Sequence, residues 1–188
     1  MGGVSCSADF GKVCWNRREF MEFFELLEAR HSVRRFRAEP VPEKLVTKIL
    51  EAVRTAPTAG NFQSYEIYVV SGAERMQALA AATFNHEWVA QAPMALVVCT
   101  NSARCEYDNK DYWALQDASI AATLAHLAIA DLGLASCWLG AFIPAKIAGL
   151  LAATEGHVPM AVMPFGYANE IPEQSTRRTL EEFVHRRE

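Results

Sequence analysis

The chain has 188 residues, 51% of them hydrophobic, and a formal net charge of −4 at pH 7. This length suits one domain with a sizeable core, and the acidic balance excludes a general nucleic-acid binder, which is normally basic. The longest uncharged apolar stretch, Ala118 to Ala130, is too short to span a bilayer.

The first residues have no clear periodicity, and Met1 to Trp15 lacks the basic start and apolar block of a signal peptide. We therefore expect a loosely packed leader over residues 1–17, followed by a single domain over residues 18–188. The absence of targeting and spanning signals predicts a cytoplasmic protein.

Elements in the first half of the chain follow from periodicity. Apolar residues recur at helical spacing from Glu19 to Ala29, and again after Pro42, in a helix that Pro57 ends. Tyr65 to Ser71 is rich in Tyr, Ile and Val, which is typical of a strand. Ala73 to about Thr83 is a further predicted helix.

The second half begins with Met94 to Thr100, a continuous apolar run expected for a strand buried on both faces. Asp111 to Leu132 is the longest predicted helix, rich in alanine and ended by Gly133. Helices interleaved with short strands indicate an α/β or α+β domain without repeats, whose strand order remains open. The remaining predicted elements are strands at Ser136–Leu139 and Met160–Phe165, a short helix from Pro144, and a helical turn within Thr179–Arg186.

The five cysteines form no C-x-x-C pair, and none is placed in a metal site. Cys99 and Cys137 lie in apolar runs and are expected in the core. Cys6 and Cys14 lie in the leader and form the one pair open to a reactive or cluster-binding role. A reduced, intracellular protein is the simpler interpretation.

The run from Arg30 to Arg34 (RHSVR) concentrates phosphate-binding chemistry just after a predicted helix. Its arginines offer charged forks, His31 a ring donor and Ser32 a hydroxyl, the groups that hold an anionic cofactor. Taken alone, the run is equally consistent with a solvated basic loop.

Three later stretches suggest a nucleotide site. Ala56 to Gln63 combines small residues, on which a flat ligand can lie, with amides that read polar ring edges. Gly133 to Gly140 (GLASCWLG) ends on a glycine whose backbone can approach a ring, and Arg177-Arg178 adds positive charge. Individually these stretches are also typical of a helix-ending turn, a buried strand and a solvated charge cluster. Together, in this order, they indicate a bound flavin.

With these four stretches in place, the chain resembles the FMN-dependent nitroreductase family from about Phe23 to Arg187. The matching motifs are Arg-x-Ser-x-Arg, Ala-Pro-Thr-Ala-x-Asn-x-Gln, Gly-Leu-x-Ser-Cys-Trp-Leu-Gly and Pro-Phe-Gly-Tyr…Arg-Arg-x-Leu-Glu-Glu. The resemblance implies an α+β fold of the α/β sandwich type, with a central, mostly antiparallel sheet flanked by helices. It also implies a homodimer with the flavin at the subunit interface.

The resemblance assigns four residues to the phosphate end of a tightly bound FMN, and a fifth, Arg34, to its ring or ribityl chain. Arg30 and Arg177 would bind the phosphate, with His31 and Ser32 completing that end. Arg34 would reach the pyrimidine edge of the ring or the ribityl chain.

The ring end is assigned in the same way. The Gly140 backbone N–H would lie near flavin N5, and no side chain is assigned as catalytic acid or base because the chemistry belongs to the cofactor. The ring-end residues are Leu139 and Gly140 beside the flavin, Gln116 at the ribityl chain, and Pro57, Thr58, Ala59 and Asn61, contributed by the partner subunit.

The implied activity is transfer of a hydride from NAD(P)H to the flavin and reduction of a nitroaromatic, a quinone or a related electron-poor acceptor by a ping-pong mechanism. Three alternatives stay open: a family offshoot that uses reduced flavin with oxygen, a dehalogenating offshoot, and a non-catalytic flavin-binding module. The segment Phe84 to Gln91 could border the acceptor pocket, or its Trp88 and Val89 could pack on the next strand.

Overall fold

In the part of the chain that the structure describes, four strands form one antiparallel sheet in the order β1-β2-β4-β3. The computed structural model describes residues 22–84, 86–173 and 175–187, so the leader with Cys6 and Cys14 lies outside the described residues. All pairings between these strands are antiparallel, so the mostly antiparallel sheet that the family resemblance implies is confirmed. The strands are β1 (Tyr65–Ser71), β2 (Met94–Asn101), β3 (Ala135–Ser136) and β4 (His157–Gly166).

Helices flank this sheet on both faces. Gly133, with φ +72°, follows the long helix and has the left-handed conformation expected of a helix-ending glycine. Among the described helices, none is long and apolar enough to cross a membrane. The helices are α1 (Phe23–Ala29), α2 (Glu43–Arg54), α3 (Ala73–Ala82), α4 (Trp88–Gln91), α5 (Lys110–Asp131) and α6 (Pro144–Leu151).

The central strand β2 separates two cores, because successive side chains point to opposite faces. Leu96 and Val98 join a cluster with α2 and α5, whereas Val97 and Cys99 join a cluster with α3 and α6. All four are fully buried, as predicted for this run, and burial raises the pKa of the Cys99 thiol to about 12. Cys137 is also buried, as expected.

The predicted strand at Ser136–Leu139 is wrong in extent, because regular pairing with β4 covers only Ala135 and Ser136. The next residue, Cys137, donates its N–H to the Pro164 carbonyl at 3.3 Å. Pro164 has no N–H to return, so the ladder is interrupted there. Pairing resumes as a single bridge between Leu139 and Val162.

At the C-terminal end, the predicted helical turn is a short 3₁₀ turn at Leu180–Glu182. Thr179 and Glu182 form a reciprocal capping box at its start, with the Thr179 N–H donating to the Glu182 carboxylate at 2.7 Å. Four large apolar side chains between residues 171 and 187 are exposed, so this part of the chain packs little on the core. They are Ile171, Leu180, Phe183 and Val184.

Candidate functional site

The Arg30–Arg34 run leaves the end of α1 and lies along the edge of the sheet. Ser32 and Ser136 form a parallel bridge, and the Val33 N–H donates to the Ser136 carbonyl at 3.1 Å. Val33 is buried, so its side chain anchors the run while the neighbouring polar side chains stay accessible. The loop is thereby held in an extended form at the edge of the sheet.

A polar cavity of about 380 Å³ opens beside this loop. The four residues that the resemblance assigns to the phosphate end all line it, together with Arg34, although Arg177 is far from the others in sequence. The cavity is therefore rich in donors and positive charge, with two carboxylates at its wall. Its polar lining residues are Arg30, His31, Ser32, Arg34, Glu170, Glu173, Ser175 and Arg177.

The cavity's arginines differ in how they are held. Arg30 is half-buried, whereas Arg34 and Arg177 are exposed. The Arg177 guanidinium donates to the carbonyls of Ser175, at 3.3 Å, and Thr176, at 3.1 Å, and so folds back on its own loop. The Arg34 guanidinium carbon lies 6.0 Å from the ring centroid of Trp88, at the limit of a cation–π contact.

A smaller cavity of about 170 Å³ lies behind the loop, and Arg30 and His31 line both cavities. His126 of α5 also lines it and is 8% exposed. Burial, together with the positive charge of Arg30, lowers the pKa of His126 to about 4, although the carbonyls of His31 and Ser136 oppose this shift. His126 is therefore neutral at pH 7. Within the described residues, neither His126 Nε2 nor Ser136 Oγ has a hydrogen-bond partner.

The Pro57–Asn61 loop is held against the other half of α5 by a buried carboxylate. Asp117 Oδ1 accepts the Ala59 N–H at 2.9 Å, and Oδ2 accepts the Ser64 N–H at 3.1 Å. Gly60 has φ +52°, and a Cβ there would lie 2.6 Å from the Phe62 ring, so glycine is required. The loop is thus a fixed turn with its polar groups largely satisfied from inside.

The structure does not bring this loop to the arginine-lined cavity. Neither Pro57 to Asn61 nor Gln116 is among the residues lining that cavity, and the Gln116 amide donates to Tyr112 Oη at 2.7 Å. Gln116 precedes His126 by ten positions on α5, which corresponds to a rise of about 15 Å. Within one subunit, the two predicted parts of the site therefore lie at separate places along one helix.

The Leu139-Gly140 segment begins three residues after Ser136, the residue that contacts the Arg30–Arg34 run. Leu139 exchanges two backbone hydrogen bonds of 2.9 Å with Val162, and this fixes the segment on the sheet. A Cβ built on the exposed Gly140 would meet no protein atom within 4 Å, so there is open space beside its backbone.

The Phe84–Gln91 segment was expected either to border a pocket or to pack on the next strand, and different residues of the segment fit each expectation. Val89 is fully buried, as expected if it packs on the sheet. Phe84 is 60% exposed and has φ +54°, a strained conformation for an aromatic residue that is often associated with functional sites. A bond of 3.0 Å from the Ile143 N–H to the Ala82 carbonyl keeps this segment beside the loop that follows Gly140.

Two acidic residues of the site were missed by the sequence reasoning. Asp117 is 1% exposed and lies among buried alanines of α5, and an acidic residue inside so apolar a stretch was a usable signal. Glu170 lines the arginine-lined cavity and accepts hydrogen bonds from the backbone N–H groups of Arg34 and Arg35. No local pattern marks Glu170, because its partners are more than 130 positions away.

Comparison with known proteins places this geometry in a family. The model of the nitroreductase family matches residues 27–103 and 74–167. A Methanothermobacter thermautotrophicus protein, whose name pairs NADH dehydrogenase with NAD(P)H nitroreductase, is 31% identical over 81% of this chain and 80% of its own length. The FMN reductase [NAD(P)H] of Bacillus subtilis is 26% identical over 81% of this chain and 57% of its own.

Solved structures agree with the sequence comparisons. A nitroreductase family protein from Clostridium difficile 630 superposes with a TM-score of 0.78 and 30% identity, over 88% of this chain and 98% of its own. The family model spans most of the described domain, and the motif-based resemblance is confirmed. The chain belongs to the nitroreductase family.

Proposed function

We propose that the chain is an FMN-dependent oxidoreductase that takes its electrons from NAD(P)H and passes them to a nitroaromatic, a quinone or a related electron-poor acceptor. The names of its relatives support this enzyme class and cofactor, since they include an FMN reductase that uses NAD(P)H. The observation that carries the proposal is the cavity where Arg30, Arg34 and Arg177 converge with His31 and Ser32.

The residues present fit the phosphate of FMN. A phosphate monoester needs several converging donors and excess positive charge, and guanidinium groups meet both needs. Arg30 and Arg177 would bind the phosphate, while His31 and Ser32 would add further donors at the same end. Arg34, at the side of the cavity near Trp88, would reach the ribityl chain or the pyrimidine edge.

The open space beside Gly140 fits a planar ring next to the backbone. When bound, FMN supplies the electron-transfer chemistry, so the protein itself needs no acid–base pair. The Gly140 N–H would donate a hydrogen bond toward N5, and Leu139 would cover the neighbouring part of the ring. The Arg34 cation would favour the negative charge that the ring acquires on reduction.

The second part of the site is proposed to come from a partner subunit in a homodimer. Pro57, Thr58, Ala59 and Asn61 are held rigidly but away from their own subunit's arginine-lined cavity, so a second copy would have to bring them to the flavin. Exposed apolar side chains on α1 and α5 support such pairing, since a lone chain leaves them in water. These side chains are Phe23, Phe24, Leu27, Tyr112, Leu115 and Ile120.

Donor and acceptor would use the same space beside the flavin in turn, which gives ping-pong kinetics. Phe84 is exposed near the loop after Gly140 and would border this space. Cytoplasmic location and the extent of the single domain stay predictions.

An absorbance spectrum of the purified protein tests the proposal, recorded before and after anaerobic addition of NADH and then NADPH. We expect flavin peaks that bleach with at least one nicotinamide and return on addition of a quinone or nitroaromatic. Flavin that stays oxidised with both donors would support the non-catalytic binding module. Return of colour with oxygen alone, or with a halogenated aromatic alone, would support the corresponding offshoots. A colourless protein that does not take up FMN would overturn the proposal.

A further inference from the structure

Glu170 is a carboxylate inside a cavity that otherwise concentrates positive charge. Its side chain is only 26% exposed. A negative charge there opposes binding of a phosphate, so its presence requires a compensating role. Nothing in the proposed electron transfer uses it.

The geometry of Glu170 supplies such a role. Its Oε1 accepts the backbone N–H of Arg34 at 2.5 Å and that of Arg35 at 3.1 Å, while Oε2 lies 3.9 Å from Arg35 Nε. Hydrogen bonds from amides to a charged acceptor are stronger than those between neutral groups. The carboxylate therefore acts mainly on the main chain of the loop.

These bonds end a longer pairing between the two segments. The Arg37 N–H donates to the Tyr167 carbonyl at 2.9 Å, Phe36 and Ala168 form an antiparallel bridge, and the Asn169 N–H donates to the Arg35 carbonyl at 2.8 Å. Glu170 extends this pairing by one more step, to Arg34. Among the described residues, the hydrogen bonds between the two segments do not continue beyond Arg34.

Two successive backbone N–H groups that point the same way also form an anion-binding concavity. Because Glu170 occupies the amides of Arg34 and Arg35, an incoming phosphate is directed to the side chains of Arg30 and Arg177 instead. With its backbone fixed, Arg34 is free to use only its guanidinium toward a ligand.

We propose that Glu170 is a positioning residue for the loop of residues 30–35: its carboxylate fixes the main chain at Arg34 and Arg35, and thereby aligns the arginine side chains for the cofactor. This inference rests on the proposed function only for the identity of the ligand. The hydrogen bonds by which Glu170 holds the loop do not depend on that function.

Four variants separate this role from a simple charge effect. Glu170→Ala removes both the charge and the acceptor, whereas Glu170→Gln keeps an acceptor oxygen without the charge. Glu170→Asp keeps the charge on a shorter side chain. Glu173→Ala is the matched control, because Glu173 lines the same cavity and no hydrogen bond is found for it among the described residues.

The first measurement is amide hydrogen exchange of the segment containing Arg34 and Arg35 in the FMN-free protein. We expect exchange at least tenfold faster in Glu170→Ala, a smaller increase in Glu170→Gln because its neutral oxygen still accepts both bonds but more weakly, and no change in Glu173→Ala. Wild-type exchange in Glu170→Ala would overturn the proposal. If Glu170→Ala does not fold, Glu170→Asp takes its place, with faster exchange expected because the shorter side chain withdraws from the two amides.

The second measurement is the dissociation constant of FMN, from quenching of flavin fluorescence. We expect it to rise about threefold to tenfold in Glu170→Ala and to stay within about twofold of wild type in Glu170→Gln. If Glu170 acted only through charge repulsion, Glu170→Ala would bind FMN more tightly, as we expect for Glu173→Ala, and that result would also overturn the proposal. A wild-type protein that binds no FMN would refute the proposed function, while the exchange measurement would still decide the role of Glu170.

Discussion

The backbone N–H of Ala59 donates a 2.9 Å hydrogen bond to the buried carboxylate of Asp117, and this bond attaches a glycine-containing turn to the longest helix. Ser64 donates to the other oxygen of the same carboxylate at 3.1 Å. One side chain thus holds both ends of the 59–64 loop.

Replacing Asp117 with alanine should destabilise the protein, because it leaves two backbone donors without their charged acceptor. We expect the free energy of unfolding to fall by about 2–4 kcal/mol, measured by urea denaturation of the FMN-free protein. Asp111→Ala, at an exposed position in the first turn of α5, is the control and should cost less than about 1 kcal/mol. Equal losses in the two variants would contradict this account of Asp117.

Removal of the cavity arginines should weaken FMN retention to different degrees. Arg30 is half-buried and lines both cavities, so Arg30→Ala should raise the FMN dissociation constant about tenfold or more. Arg177 is exposed and partly bonded to its own loop, so Arg177→Ala should raise it several-fold. Fluorescence titration measures both.

Arg178→Ala is the matched control for these two variants, since the Arg178 guanidinium lies over the Phe183 ring, 5.4 Å from its centroid, and does not line the cavity. Its FMN affinity should be unchanged. Wild-type flavin content in purified Arg177→Ala would refute the assignment of Arg177 to the phosphate.

His126 should make stability depend on pH in the mildly acidic range. Its pKa is about 4 in the folded chain and about 6.5 when unfolded, so the unfolded chain binds the extra proton first as the pH falls. The contribution of neutral His126 to the free energy of unfolding is therefore fully present above pH 6.5, and it is lost progressively as the pH falls to about 4. The total loss is up to about 3 kcal/mol.

The comparison of wild type with His126→Gln isolates this effect, because carboxylates also titrate at the lower end of the range. Urea unfolding at pH 7.0, 5.5 and 4.5 should show a smaller loss of stability in the variant at each acidic step. If the stability of both proteins depended on pH in the same way, His126 would not be the source of the pH dependence.

The proposed dimer can be broken at an exposed apolar position of α5. Leu115 is 49% exposed, and Leu115→Glu should shift the protein toward the monomer, because a buried, unpaired charge strongly opposes association. Leu115→Met keeps the apolar surface and should remain dimeric. Sedimentation at micromolar concentration measures both, and a monomeric wild-type holoprotein would contradict the dimer itself.

Local chemistry explains which elements could be predicted. β1 was predicted with its observed bounds, because Tyr, Ile and Val dominate the segment and a turn precedes it. The Ser136–Leu139 strand was predicted too long, because the interruption comes from Pro164 on the neighbouring strand. Strand order depends on pairings between strands that are distant in sequence, so no local sequence pattern predicts it.

The candidate site divides in the same way. The motifs indicated the arginine and glycine residues, whose types are those expected for binding a phosphate and a planar ring. Asp117 and Glu170 instead bind the protein's own backbone, 58 and 136 positions away in sequence, so their partners are known only from the folded chain. Asp117 and Glu170 hold in place the two loops that contain these motif residues.

The long helix α5 meets both of these loops, with Asp117 under one and His126 behind the other. It therefore sets the distance between them as a fixed spacer, whose length is counted in residues. Inserting one residue between Asp117 and His126 would lengthen this spacer by about 1.5 Å and rotate one contact by about 100° relative to the other. We infer that evolution in this stretch can vary the residue types on the outer face of the helix but not the number of residues.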